Sequence, residues 1–448
     1  MTGAQRTIAL DLVQAALAAV DPFAAVCRSL RRDGSRLHAG EGDPIDLSGV
    51  DRIIVVGGGK AAVPMARAVE SILDPERIEA GLVVAKEGQL ADAALPEVIE
   101  VVTGAHPVPD ERSLEGAARL VTLLSGLTPR DLVIVLISGG GSSLLTLPVA
   151  GVALEDLRAT GQALLSTGVP ITGVNTVRKH LSRIKGGQLA ALAAPARLVS
   201  LILSDVVGSP LDAIASGPTV ADPTTYADAV AVLERHGLEG ERVPPAVSRW
   251  LREGALGRHA ETPKPGDPLL STVRNVLVGS NEQAAEATWR RARELGFNSQ
   301  ILSTWVEGEA REVGRVCAAL LREVARRGRP LPRPACLILG GETTVTLCDG
   351  PGRGGRNQEL ALSAALALEG LEEVLLVALA TDGNDGPTDA GGAMVDGTTA
   401  ARARALGHDP WDHLGRNDAY PLLEALGDLL LLGPTGTNVN DLTLLLAF

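Results

Sequence analysis

Few residues in this chain could do chemistry on a charged substrate, and they sit in recognisable surroundings. Only five of the 41 basic residues are lysines, and three of these, Lys60, Lys179 and Lys185, lie in glycine- or arginine-flanked motifs. RIIVVGGGKAA (52–62) joins an apolar run to a helix-forming stretch through three glycines and Lys60. It is not a P-loop, because Ala61 stands where a hydroxyl would hold Mg²⁺. A dinucleotide fingerprint can be drawn through Gly57, Gly59 and Ala62, but the acid it needs after the next strand is met only loosely by Glu87. What remains is a turn in which the amides of Gly58 and Gly59 and the Lys60 ammonium face an anion. SGGGSS (138–143) is a second cradle: Gly139, Gly140 and Gly141 let consecutive amides point one way, and Ser138, Ser142 and Ser143 add hydroxyls.

Further along, NTVRKHLSRIKGGQLA (175–190) reads as one helical segment capped by Asn175. It carries Arg178, Lys179, Arg183 and Lys185, which either bind an anion or complement the helix dipole. SDVVGSPLDAIASGPT (204–219) puts Asp205 at a strand end, as a general base, a metal ligand or a turn cap, and a second helix-start anion site at Ser216-Gly217. Glu342 ends another strand. Arg356 and Asn357 open a helix, where a guanidinium opposes the dipole unless an anion compensates it. TDGNDGPTDAGG (381–392) gathers Asp382, Asp385 and Asp389, which repel unless a cation or donor array lies among them. Mg²⁺ suits such a loop, since it takes one or two carboxylates plus phosphate oxygens. Thr435 and Asn438, in GPTGTNVNDL, add a hydroxyl and an amide. Anion cradles, isolated cations and carboxylates together are the set that phosphoryl transfer needs.

These residues must be held by strand ends. Short apolar runs ending in Gly, Ser, Thr, Asn or Asp recur at 52–60, 132–143, 197–209, 275–288, 335–344, 373–386 and 428–438, with helical stretches between. That alternation predicts an α/β fold of two Rossmann-like domains, with mostly parallel sheets flanking an interdomain cleft. The proline-rich stretch after residue 243 marks a boundary: an N-terminal α/β domain over 1–245, a linker over 246–271 and a C-terminal α/β domain over 272–448. Residues 7–30 read as an amphipathic helix.

Composition narrows the partners. Apolar residues make up 45%, enough for large cores, and aromatics only 2%, so the cores are built from Ala, Leu, Val and Ile. A net charge of −13 without a basic run argues against nucleic acid or an anionic membrane as partner. No signal peptide or membrane-length apolar run is expected, and four cysteines without metal-like spacing fit a reduced cytoplasmic setting. A homodimer is left open.

GGGKAA, GAHPVPD, SGGGSSLL, NTVRKHLSRIKGG, LSDVVGSPLDAIASGPT, GGETTV, GGRNQELAL, TDGNDGPTDA and GPTGTNVND, in this order, resemble the glycerate 2-kinase family, whose C-terminal part is called the MOFRL domain. The resemblance implies ATP-dependent phosphorylation of D-glycerate at its 2-hydroxyl with a divalent metal. By similarity the catalytic lysine falls on Lys60 and the substrate-binding arginine on Arg356. Asp205 or Asp385 then accepts the hydroxyl proton, Asp382 and Asp389 serve the metal, and Lys179, Glu342 and the glycine-rich loops bind substrate or nucleotide. Two alternatives are an NAD(P)-dependent hydroxypyruvate reductase, resting on the imperfect fingerprint, and a non-catalytic sugar-phosphate sensor.

Overall fold

Runs of Ile, Val and Leu cut off by glycine form the centre of each sheet. The structure is a computed structural model in which residues 1–88, 94–238 and 240–448 are described. Three short antiparallel strands come first: β1 (Leu30–Asp33), β2 (Arg36–Ala39) and β3 (Ile45–Asp46). The next six are β4 (Ile53–Gly58), β5 (Ala80–Lys86), β6 (Ile99–Gly104), β7 (Leu132–Ile137), β8 (Arg197–Leu203) and β9 (Val273–Gly279), in one sheet of order β6-β5-β4-β7-β8-β9. The pairs β5–β6, β4–β5, β4–β7 and β7–β8 are parallel. Every residue of β4 and β7 is buried, as expected where helices cover both faces. Strand order reverses between β4 and β7, so the crevice beyond their carboxyl ends is where such a sheet takes its ligand.

The second sheet holds β10 (Asn298–Glu309), β11 (Ala335–Thr344), β12 (Val374–Ala380), β13 (Gly392–Asp396) and β14 (Asp441–Ala447), in the order β10-β11-β14-β12-β13. It is mixed, unlike the first. Only β10–β11 is parallel, while β14 runs antiparallel to both β11 and β12. The helices Ala310–Arg327 and Arg356–Leu368 pack a core around Leu321, Leu362, Leu376 and Leu445.

Several expectations are corrected. The apolar run at 428–432 is not a strand; it makes one bridge, at Leu429, and the strand is the following DLTLLLA. Residues 7–30 form two helices, Gly3–Ala19 and Pro22–Ser29, broken at Asp21-Pro22. The chain divides into a unit of Pro22–Ser204 plus Ser209–Val278 and a unit of Met1–Asp21, Asp205–Gly208 and Gly279–Phe448. The stretch 246–271 is therefore no linker. It holds most of the helix Pro245–Ala255, whose Val247 and Leu251 pack with Val174, Val177 and Tyr226 in a second core of the first unit. All four cysteines are free. No single helix is long and apolar enough to cross a membrane.

Candidate functional site

In the first unit the parallel pairing of β4 with β7 sets Gly58 opposite Ile137, so the loops that follow are neighbours. The Lys60 amide donates to the Gly139 carbonyl at 2.8 Å, and the Ala61 amide donates to Ser138 Oγ at 2.9 Å. A methyl on Gly57 would strike the Leu136 carbonyl, and one on Gly59 the Ser138 hydroxyl. The glycine spacing is thus demanded by the fit of one strand end on the next. The fingerprint glycines therefore have a packing reason that needs no dinucleotide. Gly140 takes the left-handed conformation, φ 80°, ahead of the short helix Gly141–Leu144. A side chain there would come within 3.0 Å of the His106 ring and 3.4 Å of the Lys60 side chain.

The Lys60 ammonium has no ion-pair partner among the described residues. His106, from GAHPVPD, stands close enough that burial first, and then the charges of Lys60 and Lys86, hold its pKa down to about 4. It is a neutral imidazole at pH 7 beside a free cation. The motif was legible, but nothing in its sequence says that His106 meets Lys60.

Ser142 Oγ lies 3.0 Å from Ser216 Oγ, which donates to Asn175 Oδ1 at 3.1 Å. This relay ties the SGGGSS loop to two other predicted positions. No helix starts at Ser216-Gly217, however. Ala215, Ser216 and Gly217 all have positive φ (49°, 61° and 64°), and the Ser216 and Gly217 carbonyls accept from the amides of Gly186 and Gly187. Two non-glycine residues held this way store strain of roughly 1–3 kcal/mol each, a feature that clusters at functional loops.

Asn175 is not a helix cap either. It lies inside the helix Ile171–His180, which Pro170 precedes, so only Arg178 and Lys179 of the four cations share that helix. Lys179 is a correction of a different kind. It is 3% exposed, and its ammonium lies 3.3 Å from both Asp212 and Asp222. A buried, doubly paired lysine has no charge to spare for a nucleotide. Its helical neighbour Arg178 points about 100° away and meets no acid among the described residues. Lys185 is 5% exposed and, among the described residues, donates only to the Leu145 carbonyl, at 2.9 Å. Sequence alone does not reveal the pairing of Lys179, because the partners that neutralise it lie dozens of residues downstream.

In the second unit Arg356 opens its helix as expected, and the compensating anion is built in. Its Nε and Nη2 donate to Asp441 at 2.6 and 3.0 Å, and Nη1 donates to Glu342 at 2.7 Å. The other Glu342 oxygen accepts from Asn440 Nδ2 at 2.9 Å. Asp441 was missed from sequence. It begins β14 opposite Gly341 of β11 and Ala380 of β12, an antiparallel insertion that brings a strand start to two strand ends. Burial pushes the Asp441 carboxyl up, against the opposing pull of Arg356.

The acidic loop does not form one metal cage. Asp385 is 1% exposed and faces inward; Oδ1 accepts from the Asn357 amide and side chain, and Oδ2 from the Gln358 amide at 2.8 Å. It caps the helix that Arg356 begins, with two hydrogen bonds on Oδ1 and one on Oδ2. Asp382 accepts from the Asn384 amide at 3.0 Å, while the exposed Asp389 accepts from the Tyr420 hydroxyl at 2.7 Å and from Arg353 at 3.2 Å. Among the described residues no group of three or more side chains is arranged to hold a metal ion. The Thr435 amide donates to the Asp382 carbonyl, and Asn438 Oδ1 accepts from the Asn440 amide, so these two brace the loops. Asp205 is half-buried just beyond β8.

Residues 8–252 match a family model described as a domain of unknown function (DUF4147), and residues 335–441 match the MOFRL family. The glycerate 2-kinase of Pyrococcus horikoshii is 44% identical over 439 residues, covering 98% of this chain and 96% of that protein. The D-glycerate 2-kinase of Thermotoga maritima is 44% identical, covering 98% and 97%. The crystal structure of the Thermotoga maritima glycerate kinase superposes with a TM-score of 0.88 at 42% identity, over 100% of both chains.

Proposed function

Since the chain belongs to the glycerate 2-kinase family, we propose that it transfers the γ-phosphoryl group of ATP to the 2-hydroxyl of D-glycerate, giving 2-phosphoglycerate and ADP. The observation that carries this reading is the Lys60 ammonium, without an ion-pair partner among the described residues, at the point where strand order reverses, beside the SGGGSS turn.

In this mechanism the hydroxyl oxygen of glycerate forms a bond to the γ-phosphorus as the bond to the β,γ-bridging oxygen breaks. Negative charge spreads over the equatorial oxygens, and Lys60 meets it there. A preorganised cation in a partly desolvated turn stabilises such charge more than water does. Neutral His106 leaves Lys60 the cation of this turn. Arg356 holds the glycerate carboxylate, trading one of its two internal carboxylate partners for the substrate's. Asp205 accepts the hydroxyl proton, and Asp385 holds the start of its helix. A bound magnesium ion would supply neutralisation of the triphosphate. Asp382, half-buried with one oxygen held by the Asn384 amide, is the carboxylate that fits it, and a single carboxylate suffices for an ion that otherwise keeps water and phosphate oxygens.

Purified protein incubated with ATP, Mg²⁺ and D-glycerate should yield 2-phosphoglycerate, identified by phosphorus NMR. Lys60→Ala should lower kcat on the order of 10²–10³-fold, as loss of a transition-state donor does. Near-normal turnover in that variant would discard the role of Lys60. NADH oxidation with hydroxypyruvate, and no phosphoglycerate from ATP, would discard the kinase.

A further inference from the structure

A cavity of about 590 Å³ lies in the first unit, lined by the helices Leu154–Ser166 and Ile171–His180 and by the turn after β7. Its wall is mixed: Leu164, Val177 and Leu181 are apolar, while Arg178, Lys185 and Ser142 bring donors. Three cations therefore share one cavity: Arg158 pairs with Glu111 and Glu155, while among the described residues neither Arg178 nor Lys185 meets a carboxylate. The contrast with Lys179, one residue from Arg178 and paired to two aspartates, is direct. Burial holds the Arg178 guanidinium below its ordinary pKa; burial and then the charge of Arg178 lower Lys185 to about 7. Arg178 is half-buried and Lys185 buried, and positive charge held there without a counter-charge is unfavourable unless an anion enters or Lys185 gives up its proton.

Size and lining select the anion. The space falls within the 300–1,000 Å³ typical of cofactor-sized ligands and is far larger than a three-carbon acid needs. Ser142 stands two residues beyond Gly140, against which Lys60 and His106 pack. We propose that this cavity is the nucleotide site of the phosphoryl transfer, with the base against Leu164, Val177 and Leu181 and the phosphates meeting Arg178, Lys185 and Ser142. The proposal rests on the kinase reading above, and it adds two cations to the phosphate-binding set in place of Lys179.

ADP binding measured by titration calorimetry tests it without turnover. Arg178→Gln and Lys185→Met should each raise the ADP Kd roughly 10- to 100-fold, the worth of a charge-assisted hydrogen bond, and leave the KM for D-glycerate unchanged. Arg183→Gln, on the same segment but exposed, should change neither. Because a cavity variant could misfold, the wild-type protein is also photolabelled with 8-azido-ADP, and the label should lie within the cavity-wall segment made up of 107–109, 142–146 and 154–185. An unchanged ADP Kd in both variants, a loss that falls on the glycerate KM instead, or label only outside that segment overturns the assignment. ADP held in the cavity without phosphorylation of glycerate would sink the kinase reading alone. Active enzyme whose ADP Kd ignores both variants would sink the cavity alone.

Discussion

Arg356 shows how a conflict visible in one residue is resolved by another far away. A guanidinium at a helix N-terminus is misplaced electrostatically, and that much is legible in GRGGRNQELAL. Its resolution is a pair of carboxylates, Asp441 with a side chain 9% exposed and Glu342 with one 43% exposed. Removing the arginine strands a buried carboxylate. Arg356→Met should therefore cost about 3–5 kcal/mol of stability in urea denaturation at neutral pH, the usual penalty for breaking a buried ion pair from one side. Adding Asp441→Asn should recover most of that loss, because an amide needs no counter-cation. If the double variant is stable yet does not phosphorylate glycerate, Arg356 acts on substrate as well as on Asp441. If the single variant is as stable as wild type, the pair is not the brace described above. Asp441 escaped the sequence reading for a physical reason. Two leucine-rich runs stand 13 residues apart at their starts, at 428 and 441, and only pairing partners decide which becomes the strand. The turn that holds Lys60 was legible because a turn is local, and the pairing of Lys179 was not because neutralisation is not.

At the scale of elements, the helix Arg356–Leu368 begins without a local cap, since Gly355 has no side chain to offer. Asp385, from the loop after β12, does the work across 28 and 27 residues for the Asn357 and Gln358 amides. Asp385→Ala should lower stability by about 1–2 kcal/mol, as the loss of an N-cap does. Asp385→Asn keeps an acceptor oxygen and should retain most of kcat. A fall of 10²–10⁴-fold in kcat for Asp385→Asn, at unchanged stability, would instead mark a general base. The central strands were readable from their continuous apolar runs, six of which became β4, β7, β8, β9, β11 and β12. β10 was not, because NSQILSTWVEGE is an edge strand, half-exposed and broken by register shifts, with no clear period. The 175–190 segment looked like one helix because its cations recur at helical spacing. It stops at His180, and the chain between there and Gln188 folds back on the Ser216 loop.

For the whole molecule, the alternation of strand and helix gave the fold class but not the membership of each strand. NVLVGS restarts the pattern after the prolines, and it reads as the opening of a second domain. Yet β9 completes the first sheet, and the N-terminal helix Gly3–Ala19 goes with the C-terminal unit. Periodicity reports how a segment is covered, not which neighbour covers it, so a chain that passes between units at residues 21, 204, 208 and 278 looks linear in sequence. This division gives the last prediction. Each ligand binding to the folded state suppresses the local openings of the segments it holds. Hydrogen exchange followed along the entire chain should show ADP protecting 138–146 and 154–185, where the cavity and its cations lie. D-glycerate should protect 340–357 and 437–442, around Arg356, Glu342 and Asp441. ADP protection confined to 335–448 would move the nucleotide to the C-terminal unit and leave Arg178 and Lys185 without an anion to bind.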